Sequence, residues 1–341
     1  MFEPKILNLE IWRRLTRPGA QLPHALLFAG PPGLGKRELA EALAARLLCE
    51  RPREAFEAAC GECDACLMWA SGQHPDFRLL QPEASEEEEG AGTPEGEKKK
   101  ASKQIRIQQV REIEAFFFVG AHRSGARVCL IDPAEAMNAV TANALLKILE
   151  EPSPSFYFLI VSHQWRRLLP TILSRCRRIM FSRPQAEAAR NWLAEQKLAK
   201  GARWLPFFGD APLAVAEAER AGRLKALEAV IQDLMKPQEP LALAGRWENL
   251  VKAESTLGME ELVIAVQKWL FDLALCAIGA SPRYLPAQAD ALQSLAKRAS
   301  LPALIQVQRQ LNTLRGLANH PLNPRLFLED LCVRAFSPLA P

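Results

Sequence analysis

Seven residues, Gly30-Pro-Pro-Gly-Leu-Gly-Lys36, hold the clearest chemical signal in the sequence. The spacing G-x4-G-K is that of a loop that cradles phosphate. Its glycines let backbone amides turn toward an anion, the following helix N-terminus adds partial positive charge, and the lysine reaches the terminal phosphates. Position 37 breaks the pattern: it is arginine, where a Ser or Thr hydroxyl would hold magnesium. A guanidinium cannot ligate a cation. Gly30, Gly33, Gly35 and Lys36 are therefore candidate phosphate-binding residues in a site not expected to hydrolyse ATP, and whether a nucleotide occupies it is left open.

A second break lies at Asp132. An acidic residue closing an apolar strand downstream of a phosphate loop is the usual metal-holding position, and in ATPases a Glu that activates water follows it at once. Here Pro133 follows, and Glu135 is expected to point elsewhere. Ser162 and His163 close another apolar run, where they either face the phosphate side of a sheet or merely end the strand.

Cys49, Cys60, Cys63 and Cys66 follow the pattern C-x10-C-x2-C-x2-C. Two successive C-x2-C steps put three thiolates on one knuckle, and Cys49 can supply the fourth corner of a tetrahedron. Four clustered thiols in a reducing cytosol point to structural Zn2+ rather than disulfides, with free or redox-active thiols as the alternative, and with every corner filled by sulfur no position stays open for substrate. Cys129, Cys176, Cys276 and Cys332 are scattered in apolar stretches and read as small buried side chains.

Strand, loop and helix must present these residues in order. The apolar run Ala25 to Ala29 and the helical pattern Arg37 to Leu48 flank the loop. An amphipathic helix is expected from Ile6 to Leu15, a strand at Phe77 to Leu80, a helix at Ile107 to Phe118 and buried strands at Arg127 to Ile131 and Phe156 to Val161. A helix from Asn143 is stopped by Pro152. The tract 83–103 is Glu, Gly, Pro and Lys with almost nothing apolar, so it reads as a disordered loop. From Leu224 onward the pattern is helical, including Leu262 to Ala277 and Leu301 to Leu317.

With 341 residues, 49% of them hydrophobic and 24% charged, the chain has room for two or three domains. The net charge of +4 says little about nucleic acid, and no dense basic stripe with interleaved aromatics stands out. No apolar run approaches the ~20 residues that span a bilayer, and Met1 to Arg17 lacks a signal-peptide core. These features predict a cytoplasmic protein with no membrane association.

Together with Leu168-Leu-Pro-Thr-Ile-Leu-Ser-Arg-Cys176 and Asn323-Pro-Arg-Leu-Phe-Leu-Glu-Asp330, these pieces resemble the AAA+ clamp-loader family of bacterial DNA polymerase III over nearly the whole chain. The resemblance implies α/β plus all-α architecture: an AAA+ P-loop parallel sheet over 1–183 with a zinc module at 49–66, a small helical lid at 184–222 and a C-terminal helical collar at 223–341. It implies that Arg175 is an arginine finger acting in trans on ATP of an adjacent tau or gamma subunit, that Cys49, Cys60, Cys63 and Cys66 ligate zinc, and that tau/gamma and delta are partners. The sliding clamp and primer-template DNA would be met through that assembly. Arg37 and Pro133 set the sequence apart from active tau and gamma, so no independent catalysis is expected. By its residues alone, without that resemblance, Arg175 reads rather as the partner of a buried internal salt bridge. The competing readings are an active ATPase clamp-loader subunit and a zinc-knuckle nucleic-acid-binding protein.

Overall fold

The computed structural model describes residues 8–51, 54–83, 104–118, 125–151, 153–236, 239–252, 257–318, 320 and 323–339. All of the tract expected to be disordered lies outside the described residues except Glu83, which pairs with Arg106 at 3.2 Å. The chain divides into two compact units, Met1–Ser182 and Arg183–Pro341.

In the first unit five parallel strands form one sheet in the order β2-β3-β4-β1-β5. They are β1 (Ala25–Ala29), β2 (Phe77–Leu80), β3 (Arg127–Ile131), β4 (Phe156–Ser162) and β5 (Arg177–Met180). The helices are α1 (Leu9–Thr16), α2 (Lys36–Leu48), α3 (Asp64–Ala70), α4 (Ile107–Phe118), α5 (Ala139–Glu150) and α6 (Pro170–Arg175). β1, β3 and β4 are buried along nearly their whole length and apolar apart from Arg127 and Ser162 at their ends, because a parallel sheet is covered on both faces. Ala25, Leu27, Cys129, Ile131, Phe158 and Ile160 share a core with Val110, Ile113, Leu145, Ile148 and Ile172 of α4, α5 and α6. The alternate residues Leu26, Phe28, Leu130 and Leu159 are equally buried on the opposite face, the side taken by α2.

Three expectations need correction. The fifth strand went unseen, since Arg177-Arg178 opens it and both side chains are exposed on an edge. The helix expected to start at Asn143 begins at Ala139, where the Asn138 side chain accepts from the Thr141 amide at 2.9 Å. Cys276 is only half-buried, unlike Cys129, Cys176 and Cys332.

The second unit is helical: α7 (Ala186–Glu195), α8 (Pro212–Arg220), α9 (Arg223–Leu234), α10 (Pro240–Lys252), α11 (Met259–Ala277), α12 (Ala289–Ala296), α13 (Leu301–Leu317) and α14 (Pro324–Phe336). α11 is its axis, burying Leu262, Val263, Val266, Trp269, Leu270 and Leu273 among α9, α12, α13 and α14. Full burial of each such aliphatic side chain contributes about 1.5–3 kcal/mol. Among the described residues no helix is long and apolar enough to cross a membrane.

Candidate functional site

Parallel strands bring their C-terminal ends to one edge, the usual place for a ligand in such a sheet. Here that edge collects Gly30 after β1, Asp132 after β3 and Ser162 at the end of β4. Ala29 is in register with Ser162, and the Gly30 amide donates to the Ser162 carbonyl at 3.3 Å. Gly30, Gly33 and Gly35 have φ of +155°, +73° and +79°, so the loop needs its glycines. A Cβ on Gly30 would stand 2.6 Å from the Phe181 carbonyl oxygen. Lys36 is 2% exposed, and its Nζ donates back to the Pro31 carbonyl at 2.5 Å. Burial pushes its pKa down to about 8, against the pull of Asp132, Glu135 and Glu38.

Arg37 turns toward the position a metal would take. Its Nη1 donates to Asp132 Oδ2 at 3.2 Å and to Gln81 Oε1 at 3.2 Å, while Nε donates to Glu41 at 2.8 Å. Burial works against the guanidinium's charge, but Glu41 and Asp132 outweigh it and raise its pKa. Asp132 is 7% exposed; burial raises its carboxyl above the usual range while Arg37 pulls it back. Its second oxygen, Oδ1, is buried with no hydrogen-bond partner among the described residues.

Glu135, expected to point away from the water-activating position, is taken up by the end of β4. It lies on the turn Ala134–Ala136 and reaches back to β4, accepting from Ser162 Oγ at 2.7 Å and from the amides of His163 at 2.9 Å and Gln164 at 3.2 Å. Its oxygens are committed to holding the strand end. Ser162 is buried in that contact, and burial together with the nearby Lys36 ammonium pushes the His163 pKa down, against the pull of Glu135. Sequence reading also passed over Asn8, whose Nδ2 donates to the loop carbonyls of Leu34 at 3.0 Å and Gly35 at 3.4 Å. No local pattern marks an asparagine for a contact with a loop 26 residues away.

Cys49 caps the C-terminus of α2, and Cys63 precedes α3, whose first turn holds Cys66. The four thiols converge, all Sγ atoms within 4.8 Å of one another, with Cys49–Cys63 at 4.0 Å and Cys60–Cys66 at 3.8 Å. Four sulfurs at ~2.3 Å from a tetrahedral zinc stand about 3.8 Å apart, so the cluster has the size of a four-thiolate shell. Burial disfavours the Cys60 thiolate, yet the amides of Glu62 at 3.4 Å and Cys63 at 3.3 Å donate to its sulfur and hold it down to about 6. This donor set fits a soft metal ion.

Arg175 ends α6 at the surface. Its Nη2 pairs with Glu150, and its Nη1 donates to the Thr171 carbonyl at 2.9 Å. The side chain remains 32% exposed, so the salt bridge considered at the sequence level exists but is not buried.

A parallel sheet with a phosphate loop at its C-terminal edge, a four-cysteine module after the loop helix and a separate helical unit define a protein of the AAA+-like class. The family model described as "DNA polymerase III, delta subunit" matches residues 10–185. DNA polymerase III subunit delta' of Pseudomonas aeruginosa is 49% identical over 175 residues, which are 51% of this chain and 48% of that one. The alignment thus spans about half the length of that relative. The delta' subunit of Yersinia pestis is 29% identical, covering 84% of this chain and 81% of its own. That of Escherichia coli is 28% identical, covering 91% and 88%. The chain belongs to the delta-prime subunit family of DNA polymerase III clamp loaders.

Proposed function

We propose that the chain works as a non-hydrolysing delta-prime subunit. It assembles with tau or gamma and with delta, offers Arg175 to ATP bound by the adjacent tau or gamma subunit, and supports loading of the sliding clamp on primed DNA. The single observation that carries the absence of turnover is the ion pair between Arg37 and Asp132, which puts a guanidinium against the carboxylate that magnesium would need. Gly30, Gly33, Gly35 and Lys36 keep the form of a phosphate loop without the means to activate water.

Support for Arg175 comes from its surroundings. The arginines Arg166, Arg167, Arg177 and Arg178 lie in exposed or edge positions near it in sequence, and the one carboxylate on Arg175 is the partly exposed Glu150. Arg166 and Arg178 both lie against the Trp165 ring, at 4.8 and 5.2 Å from its centroid, which orients their guanidinium groups. A zinc ion held by Cys49, Cys60, Cys63 and Cys66 would cross-link the chain around α2 and α3, with no coordination position left for chemistry. In the helical unit, residues 184–222 act as a lid and 223–341 as the collar that joins subunits.

The experiment is an ATPase assay of the purified chain and of the complex reconstituted with tau or gamma and delta. The chain alone should stay at background, and the complex should lose about 10^3-fold of its DNA-stimulated activity with Arg175→Ala. Turnover by the isolated chain that Lys36→Ala abolishes would overturn the reading, as would a complex indifferent to Arg175→Ala. Metal analysis should find one zinc per chain, absent after Cys63→Ser.

A further inference from the structure

The four-cysteine module and the phosphate loop sit at opposite ends of α2, with Lys36 opening the helix and Cys49 capping its end. A second connection runs through α1. At one end, Asn8 donates its side-chain amide to the carbonyls of Leu34 and Gly35 in the loop. At the other, Trp12 Nε1 donates to the Phe56 carbonyl at 2.7 Å, and the Phe56 amide donates to the Thr16 carbonyl at 3.2 Å. Phe56 belongs to the segment between Cys49 and Cys60.

Phe56 has φ +69°, a left-handed conformation that an aromatic residue rarely adopts, and its side chain is exposed rather than packed into a core. Such a residue persists only where its surroundings over-determine it. Here both of its backbone polar groups are claimed by α1, and Arg46 of α2 donates to the carbonyls on either side, those of Glu54 at 3.0 Å and Glu57. Trp12 is 1% exposed, so its indole N–H has one fixed partner and little freedom to find another.

We propose that α1 is a strap that couples the cysteine module to the phosphate loop, with Trp12 and Asn8 as positioning residues, so that a metal in the module sets the conformation of Gly33 to Lys36. Loss of the metal frees residues 54–57, removes the Trp12 and Thr16 contacts, and lets α1 withdraw Asn8 from the loop. The proposal rests on the metal reading of the cysteines above. It makes the module a determinant of loop order in addition to a local staple.

Amide hydrogen exchange on the full chain tests it, with and without a zinc chelator, read in peptides covering 30–37 and 54–66. Metal removal should speed exchange in both, by about tenfold in the loop if one hydrogen bond's worth of protection is lost. Trp12→Phe keeps an aromatic ring, though a smaller one, and removes the donor. In that variant the module should still respond to the chelator while the loop's response falls below about twofold. Loop exchange independent of metal in the parent, or a full response in Trp12→Phe, would overturn the strap. If Trp12→Phe does not fold, Asn8→Ala decides at the loop end: it should exchange fast in 30–37 whether or not zinc is present, and a surviving metal dependence would overturn the proposal. A chain that takes up no zinc refutes the metal reading instead. The strap is then judged by Asn8→Ala on the metal-free chain, where the Phe56 amide should exchange about tenfold faster and an unchanged rate would overturn it.

Discussion

Arg37 and Asp132, 95 residues apart in sequence, meet at 3.2 Å at the C-terminal edge of the sheet. In the proposed reading, the pair stands where an active site would hold a metal and its hydroxyl ligand. Arg37→Thr restores the hydroxyl but leaves Pro133 where a water-activating Glu would stand. The variant should therefore gain magnesium-ATP affinity in a binding titration while turnover stays at background. Rapid hydrolysis by Arg37→Thr would mean that the site lacked only its metal anchor.

The same pair has a pH signature. Burial already raises the Asp132 carboxyl, and removal of Arg37 would raise it further. A carboxyl raised by folding contributes stability that is fully present below its unfolded pKa and is lost as pH rises through its folded pKa. Arg37→Ala should therefore be less stable than the parent by about 1 kcal/mol at pH 7, a modest figure because Arg37 is 41% exposed and screened by solvent. The gap should close below pH ~4, near the ordinary aspartate value. Urea denaturation across that range measures it, and a gap that widens toward acid would contradict the assignment.

Lys36 makes the opposite prediction at the alkaline end. Its pKa falls from 10.5 to about 8 on folding, so the folded chain binds fewer protons than the unfolded one between those values and gains stability as pH rises through them. Lys36→Met should be more stable than the parent by about 2 kcal/mol at pH 7, with the advantage shrinking above pH 8. A pH-independent difference would show that Lys36 is not held in a desolvating site.

Glu150 holds Arg175 at the surface, both partly exposed. Exposed pairs of this kind are worth about 0–1 kcal/mol, so under the proposed role of Arg175 a neighbour's phosphate would displace the carboxylate at little cost. Glu150→Gln should leave stability within about 0.5 kcal/mol and raise DNA-stimulated ATPase of the reconstituted complex severalfold at limiting subunit concentration, by up to about fivefold if the pair is worth 1 kcal/mol. A fall as large as that of Arg175→Ala would instead make Glu150 the group that keeps the arginine in position.

In the helical unit, Asp272 of α11 is fully buried and accepts from three successive amides, Arg283 at 2.8 Å, Tyr284 at 2.9 Å and Leu285 at 2.7 Å. Asp272→Ala strands those three donors and should cost about 3 kcal/mol in chemical denaturation. A loss under about 0.5 kcal/mol would mean that water replaces the carboxylate freely.

The parts legible in the sequence were those written in short-range spacing. Gly30 to Lys36, the four cysteines and the apolar runs of β1, β3 and β4 each depend on neighbours within a few residues, because turn chemistry, ligand bite and strand burial act over that range. β5 was hidden because an edge strand in this sheet needs only Ile179 inside, while Arg177, Arg178 and Met180 face water. The partner of Glu135 was not legible because it depends on where β4 ends beside it, which no spacing in the sequence states.

By itself the sequence showed the spacing of a phosphate loop, an arginine at position 37 where a hydroxyl is expected, and four cysteines spaced to share an ion. Only the tertiary structure decided where the Arg37 guanidinium goes, that Asn8 and Trp12 tie the loop to the cysteine module, and that Glu150 holds Arg175. Those contacts join residues 25 to 95 positions apart, apart from the local tie of Asn8 and Trp12 through α1, and their partners are chosen by how strands, helices and loops pack side by side. Hydrogen bonds and ion pairs act over a few ångströms of space, and it is that packing, the order of strands in the sheet included, that converts distance along the chain into that proximity.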